Sequence, residues 1–217
     1  MNSLRNNTLF RDIEDTVFRE QILPHCKQRS VKKGNYLLTP QEKLDYFSVI
    51  LQGSIHTLHL FSDGNYTIME VLEQGEIYGS DLIATSSRSS PYYALAARDT
   101  DLAMFPGDLI MTPGYISEEL RQLLLFRLLH LVANRNMQKE YRLAILSQKG
   151  LRERILTYLQ MQSQKRKTNC FRIPFSREDL ASFLCVNRSA LSHELSKMQR
   201  DGLIRFHKNE FTLLKPF

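Results

Sequence analysis

Apolar residues between Ser30 and Pro106 come in short runs. "NYLLT", "FSVIL", "SIHTLHLF", "YTIMEVL" and "DLAMF" either alternate with polar neighbours or are apolar throughout. Turn formers separate them, at Lys33-Gly34, Gln52-Gly53, Asp63-Gly64, Gln74-Gly75 and Gly79. Short strands with glycine between them predict an antiparallel sandwich or barrel-like roll, since the tight turns of such a sheet need the positive φ that glycine adopts freely. The period then changes. From Ser117 to Leu146 the chain contains neither Gly nor Pro, and Ser117 followed by Glu118 and Glu119 forms an N-cap with an acidic first turn. The first half of this helix, "LRQLLLFRLLHLVA", is apolar on more than one face, so it needs cover on two sides. The β-domain supplies one; a second copy of the same helix supplies the other, in a two-fold dimer. At 1.5 Å per residue the segment is roughly 45 Å long, too long for one monomer to bury throughout.

A break at "SQKG", Ser147 to Gly150, marks a domain boundary. Beyond it come a helix, "LRERILTYLQMQ", a charged loop, "SQKRKTN", and a short strand, "CFRIPF". Two short helical runs follow in "FSREDLASFLCVNRSALSHELSKMQRDGLI", and "LIRFHKNEFTLL" reads as a hairpin around Lys208-Asn209. In the paired helices Ser176 caps the first, with Asp179 three residues on, and Leu180, Ala181 and Leu184 face inward. Cys185-Val186 is the turn. Asn187 caps the second helix, Leu191, Leu195 and Met198 form its buried stripe, and Gly202 ends it in the left-handed position. This phase leaves Arg188, Ser189, Ser192 and His193 on the exposed face of the first turns, the face that meets base edges when such a hairpin enters a major groove. The pattern alone fits a structural helical hairpin equally well.

Charge shifts that balance. The 217-residue chain has a formal net charge of +6. Residues 1–146 hold 15 Lys and Arg against 17 Asp and Glu, or −2; residues 147–217 hold 14 against 6, or +8. A basic tail on a slightly acidic body points to a polyanion as the tail's partner, ahead of a merely solubilising surface. With the hairpin that follows, a winged helix-turn-helix is expected. The N-terminus lacks the basic-then-apolar order of a secretory signal, and "LLLFRLLHLVA" is shorter than a bilayer span and carries Arg127 and His130, so a soluble protein with no membrane partner is expected, and the unpaired cysteines point to a reducing cytoplasm. Cys26, Cys170 and Cys185 are scattered without a Cys-x-x-Cys pair, which offers neither a disulfide framework nor a zinc knot.

The chain resembles the CRP/FNR family of bacterial transcription regulators, relatives of the cyclic-AMP receptor protein. "KKGNYLL…LDYFSVILQGSIHTLHLFSDGNYTIMEVLEQGEIYG", with Gly34, Gly53, Gly64, Gly75 and Gly79, is similar to the family's cyclic-nucleotide-binding-type β-roll, and "VNRSALSHELSKMQRDGLI" to its recognition helix and wing. The resemblance covers nearly the whole chain. It implies an α+β protein: an antiparallel β-roll (double-stranded β-helix or jelly roll) sensor over 1–116, a dimerisation helix over 117–146 and a winged helix-turn-helix DNA-binding domain over 147–217. On this reading Arg188 corresponds to the family's guanine-reading Arg. Ser189 stands where many relatives carry Glu and His193 where many carry Arg, which implies a changed half-site. Cys185 stands where the turn often has Gly.

In the cyclic-AMP-binding branch a Glu follows the last β-roll glycine and an Arg-Ser pair meets the cyclic phosphate. Here Ser80 and Asp81 follow Gly79, Arg88-Ser89 falls about two positions early, and Asn136 falls where a helix residue touches the adenine. The departures argue against cyclic AMP and for an apo-active protein or another small effector, with Tyr78, Ser80, Asp81, Arg88, Ser89 and Asn136 as the expected pocket. No cofactor is fixed by the sequence. An iron–sulfur cluster needs more cysteines than Cys26, and His56 and His59, three apart on a strand, point to opposite faces, so no metal or haem site is expected. The roll also resembles that of cupin enzymes, but their His-x-His metal triad and any other catalytic set are missing, so no enzyme is expected. The resulting expectation is a homodimeric regulator on a palindromic operator, with RNA polymerase as partner if it activates. Arg188, Ser189, Ser192 and His193 are the expected base readers; Ser176, Arg177, Lys197, Lys208 and Asn209 are the expected phosphate contacts. The alternative is a ligand-sensing β-roll protein that works through protein partners.

Overall fold

The computed structural model describes residues 2–62, 64 and 66–214; Asp63, half of the expected Asp63-Gly64 turn, lies outside them. Two short N-terminal helices come first, α1 (Asn2–Arg5) and α2 (Asp15–Val17), the latter continuing through a π turn at Phe18–Ile22 and a 3-10 turn at Leu23–His25. The roll is built from β1 (Lys27–Val31), β2 (Tyr36–Leu38), β3 (Tyr46–Gln52), β4 (Ser54–Leu60), β5 (Tyr66–Glu73), β6 (Ile77–Tyr78), β7 (Tyr93–Ala96) and β8 (Thr100–Pro106). Helix α3 (Ser80–Ile83) precedes β7 and α4 (Asp108–Met111) follows β8. The strands form two four-stranded sheets, ordered β1-β8-β3-β6 and β2-β7-β4-β5.

Strand β3 shows how one element serves two cores. Its alternation sends Phe47 and Val49 to one side, where they join Phe10, Phe18 and Phe105, and Ile50 to the other, among Leu37, Ile55, Leu72, Tyr78 and Ala94 between the sheets. Residues Phe47 to Ile50 are therefore all buried, and the strand reads as a continuous apolar run. No periodic signal marks the N-terminal segment, yet its Phe10 ring meets Phe105 edge-on at 5.0 Å and Phe18 at 5.6 Å, capping the outer side of the sheet. Two glycines are dictated by space as well as by φ. A Cβ on Gly53, at φ 93°, would lie 2.4 Å from the Asp99 carbonyl, and one on Gly79, at φ 83°, 2.9 Å from the Tyr46 carbonyl.

Helix α5 (Glu118–Leu146) carries two stripes on opposed faces. Leu124, Leu128, Arg135, Arg142 and Ile145 are buried at helical spacing, while Leu123 (38% exposed), Phe126 (59%), Leu129 (65%), Met137 (51%) and Tyr141 (55%) are open to solvent. The chain divides into two compact units, 1–64 with 69–136 and 65–68 with 137–217. In the second, α6 (Leu151–Arg166) is followed by β9 (Cys170–Arg172), α7 (Arg177–Phe183), α8 (Arg188–Arg200), β10 (Ile204–His207) and β11 (Glu210–Leu213), with the strands in the order β10-β11-β9. The expected loop "SQKRKTN" is corrected here, because its first four residues extend α6. Ser, Gln, Lys and Arg continue the helix, and it stops only where Lys167 takes φ 53° and Thr168 donates its N–H to the Ser163 carbonyl, a Schellman ending without glycine. No helix among the described residues is long and apolar enough to cross a membrane.

Candidate functional site

The paired helices α7 and α8 are set by caps at both ends. Ser176 Oγ accepts from the Asp179 N–H at 3.1 Å and the Asp179 carboxylate accepts from the Ser176 N–H, closing a capping box with Asp in the usual Glu position. Helix α7 ends in a Schellman turn: Val186 donates to the Ala181 carbonyl, Cys185 to the Ser182 carbonyl, and Cys185 holds φ 56°. Asn187 Oδ1 accepts from the Ala190 N–H at 2.8 Å and so starts α8. Leu191, Leu195 and Met198 are wholly buried along one face, and Arg152 on α6 grips the other flank through Glu194 at 2.6 Å and Asp201 at 2.8 Å.

These constraints fix which side chains remain outside. Arg188, Ser189 and His193 are exposed and Ser192 is half-buried, all on the first turns of α8. Arg188 has Glu178 at 3.7 Å, with both side chains well exposed, a pair that water screens heavily. The Ser189 hydroxyl donates to the cap oxygen of Asn187 at 2.9 Å and keeps its lone pairs for an incoming donor. Lys197 and Lys208 are exposed, and Lys208 heads the β10–β11 turn at φ 52°. The other expected phosphate contacts are engaged internally. Ser176 donates to Asp179 at 2.6 Å; Asn209 donates to the Ile173 carbonyl at 3.2 Å and accepts from Arg172. The Arg177 guanidinium lies over the Phe206 ring at 4.9 Å and donates to the Lys208 carbonyl at 2.9 Å. Its burial, reinforced by the nearby charge of Arg188, lowers its pKa.

Sequence reading missed two arginines at the corner of this hairpin. Arg142 stacks over Phe183 at 4.9 Å, and Arg154 donates to the Gln148 carbonyl at 3.0 Å and the Leu184 carbonyl at 3.3 Å. The signal for Arg142 was available, since the buried leucine phase of α5 runs onto it. Burial also pushes its pKa down.

The six residues expected to form an effector pocket are each accounted for within the roll unit. Tyr78 is fully buried in the core between the sheets, and burial drives its hydroxyl pKa far up. Ser80 accepts from Arg135 Nη1 at 2.8 Å, and Asp81 accepts from the Tyr92 hydroxyl at 3.3 Å. Arg88 is held by Asp108 at 2.6 Å and Asp45 at 3.3 Å, with its backbone at φ 50°, and Ser89 bridges to Lys43. Asn136 is exposed. The residue of that helical turn that faces the roll is Arg135, which also donates to the Ile77 carbonyl and has Glu70 at 3.4 Å. No group of three or more His, Cys, Asp or Glu residues among those described could hold a metal ion.

Two family profiles match the chain in tandem, the cyclic nucleotide-binding domain over residues 28–112 and the Crp-like helix-turn-helix domain over 153–216. The transcriptional activator protein FnrL of Cereibacter sphaeroides is 23% identical over 95% of this chain and 82% of its own length. The transcriptional activator protein Anr of Pseudomonas protegens is 22% identical over 94% and 83%. Among solved structures, FixK2 from Bradyrhizobium japonicum superposes with a TM-score of 0.69 at 20% identity, covering 88% of this chain and 93% of that one. The c-di-GMP responsive regulator CLP of Xanthomonas campestris gives 0.72 at 17% identity, covering 93% and 100%. A β-roll, a long helix and a winged pair of reading helices, in this order, make the chain a DNA-binding transcription regulator rather than an enzyme. It belongs to the CRP/FNR family.

Proposed function

We propose that the chain works as a homodimer in the bacterial cytoplasm, placing two copies of α8 in successive major grooves of a palindromic operator, about 34–36 Å apart. Residues 1–116 act as sensor, 117–146 as dimerisation helix and 147–217 as reader. The observation that carries this reading is the polar face of α8, with Arg188, Ser189 and His193 exposed and Ser192 half-buried beside them, on a helix whose other sides are fixed by Leu191, Leu195 and Met198 and by Arg152. Arg188 reads guanine in two-pronged fashion, Ser189 and Ser192 adapt to neighbouring bases, and His193 meets a base or phosphate. Lys197 and Lys208 neutralise backbone phosphate. The exposed stripe from Leu123 to Tyr141 supports the dimer, since its spacing is that of a helix seam and a second copy of α5 would cover it. RNA polymerase is the further partner where the bound position makes the protein an activator. In the roll, cyclic AMP is disfavoured because Ser80 replaces the ribose-holding carboxylate and Arg88 is committed to Asp45 and Asp108; the protein is apo-active or answers another small effector.

Fluorescence anisotropy of the purified protein on DNA from upstream of its own gene, against scrambled DNA at one fixed salt, tests the reading. Specific binding that is unchanged by cyclic AMP is expected, and Arg188→Ala should weaken it while sparing most non-specific affinity. Equal loss on both DNAs would remove the base-reading role of Arg188. Binding that appears only with cyclic AMP would overturn the reading of the roll.

A further inference from the structure

The wing carries a conformational difficulty that its own sequence does not resolve. His207 pairs with Glu210 across β10 and β11, so Lys208 and Asn209 form a two-residue hairpin loop. Lys208 occupies the first loop position at φ 52°, where such loops ordinarily place glycine because a Cβ crowds the backbone there. A lysine held in this conformation needs its peptide fixed from outside the hairpin. Arg177, at the first position of α7, does this. Its Nη2 donates to the Lys208 carbonyl at 2.9 Å, while its guanidinium carbon sits 4.9 Å from the Phe206 ring centre and 5.8 Å from that of Phe211. The two rings stack at 5.9 Å with 23° between their planes, forming a platform for the flat cation. A second tie is made at the neighbouring residue, where Ile173 donates its N–H to the Asn209 carbonyl at 2.9 Å and accepts from the Asn209 amide at 3.2 Å.

We propose that Arg177 is a positioning residue for DNA binding: it clamps the strained Lys208 peptide and the Phe206–Phe211 platform to α7, so that the wing tip is presented in register with the reading face of α8. This rests on the assignment of α8 and the wing as the DNA-facing surface. It gives Arg177 a different task from direct phosphate contact. One face of its guanidinium is taken by aromatic carbon and one N–H by the turn carbonyl, and the cation exposed at the tip is Lys208 itself. The geometry uses a flat cation that lies over the rings while donating from its edge to the turn carbonyl, a combination that a compact lysine ammonium does not reproduce. Lysine is nevertheless sufficient for a simple phosphate contact.

The test uses the full-length protein with Arg177→Lys, Arg177→Met and, as a variant that leaves Arg177 in place, Phe206→Leu. Hydrogen exchange of the wing amides, residues 204–213, is measured without DNA and compared with the amides of α8. Wing exchange about ten-fold faster in all three variants, with α8 unchanged, is expected from the loss of one charge-assisted hydrogen bond and its platform. DNA binding is then measured across a salt series, and Arg177→Lys should lose affinity as Arg177→Met does. Wild-type wing exchange in Arg177→Met would overturn the clamp. Wild-type affinity and salt slope in Arg177→Lys, with a slope smaller by about one in Arg177→Met, would assign Arg177 to phosphate instead. If the wild-type protein binds no DNA sequence specifically, the reading-head assignment fails while the exchange experiment still decides whether Arg177 holds the wing. Loss of α8 protection in the Arg177 variants, with Phe206→Leu at wild-type wing exchange, would also overturn the proposal, because Arg177 would then support the whole fold rather than the wing.

Discussion

Arg188 and Arg88 were both singled out from the sequence as functional cations, and they differ in their company. Arg188 stands exposed at the first turn of α8 with Glu178 no nearer than 3.7 Å, whereas Arg88 is drawn to Asp108 at 2.6 Å and Asp45 at 3.3 Å. The same contrast separates their surroundings. On α8 the polar residues of the reading face point outward and the buried positions are purely apolar. In the roll the polar residues are satisfied internally: Ser80 by Arg135, Asp81 by the Tyr92 hydroxyl, Arg88 by Asp45 and Asp108, and Arg135 also by the Ile77 carbonyl. An exposed, loosely paired cation is ready for a partner. One already held by two carboxylates must give up those bonds before it can bind anything else.

The largest effect is expected where this internal satisfaction is broken. Arg135→Met keeps the length of the side chain but removes the donors to Ser80 and Ile77 and leaves Glu70, itself largely buried, without its cation. Breaking one side of a buried pair is costly, so a loss of about 3 kcal/mol in unfolding free energy is expected by chemical denaturation. The neighbouring Asn136→Ala should fall within about 0.5 kcal/mol of wild type, as surface changes do. Equal costs for the two would remove the distinction between the buried and open faces of α5.

Next in size comes Arg188→Ala. It should leave the unfolding midpoint almost unchanged, and cost roughly 1–3 kcal/mol in binding to the specific operator relative to scrambled DNA. Arg88→Ala should show the reverse pattern. Losing its ion pairs should cost about 1 kcal/mol of stability, discounted for the exposure of Asp45 and Asp108, with specific DNA affinity retained. Because Asp108 is held below the usual carboxylate range by Arg88, its contribution is present at neutral pH. It is lost as pH falls through the depressed Asp108 value, so the difference between wild type and Arg88→Ala should shrink in acid. A difference that persists in acid would show that the Arg88 side chain stabilises the roll by packing rather than by charge.

The contrast between these regions also explains what could be read in advance. The caps at Ser176 and Asn187, the stripe of Leu191, Leu195 and Met198, and Gly202 after α8 are signals carried within a few residues of one another, and each is found where the spacing placed it. The strands on either side of Gly53 were legible for the same reason, whereas Gly79, expected as a turn between strands, leads from β6 into helix α3. The partners of Arg88 lie 43 and 20 residues away in sequence, at Asp45 and Asp108, and only the folded sheet brings them together. Strands β1, β6 and β7 were not among the expected runs: β1 is an edge strand exposed over four of its five residues, β6 spans only Ile77 and Tyr78, and β7, although apolar throughout as "YALA", is only four residues long. Asn136 and Arg135 differ by one position. Alignment to a family selected the former, but continuing the buried phase from Leu124 and Leu128 selects the latter.

The smallest effect sharpens the local side of the comparison. Cys185 is the C′ residue of the Schellman turn that ends α7, at φ 56°, and Val186 and Cys185 both donate back into that helix. A Cβ in the left-handed region costs roughly 1–2 kcal/mol. Glycine relieves this but gains freedom in the unfolded chain, which returns part of it. Cys185→Gly should therefore raise stability by about 0.5–1 kcal/mol, and Cys185→Val should lower it, because branching at Cβ worsens the same crowding. Both are measurable by thermal unfolding at one protein concentration. If the glycine variant were instead less stable, the thiol's contacts with the Thr67 hydroxyl at 3.3 Å and the Arg142 guanidinium would outweigh backbone strain, and the corner of the hairpin would be held by side chains from outside its own turn.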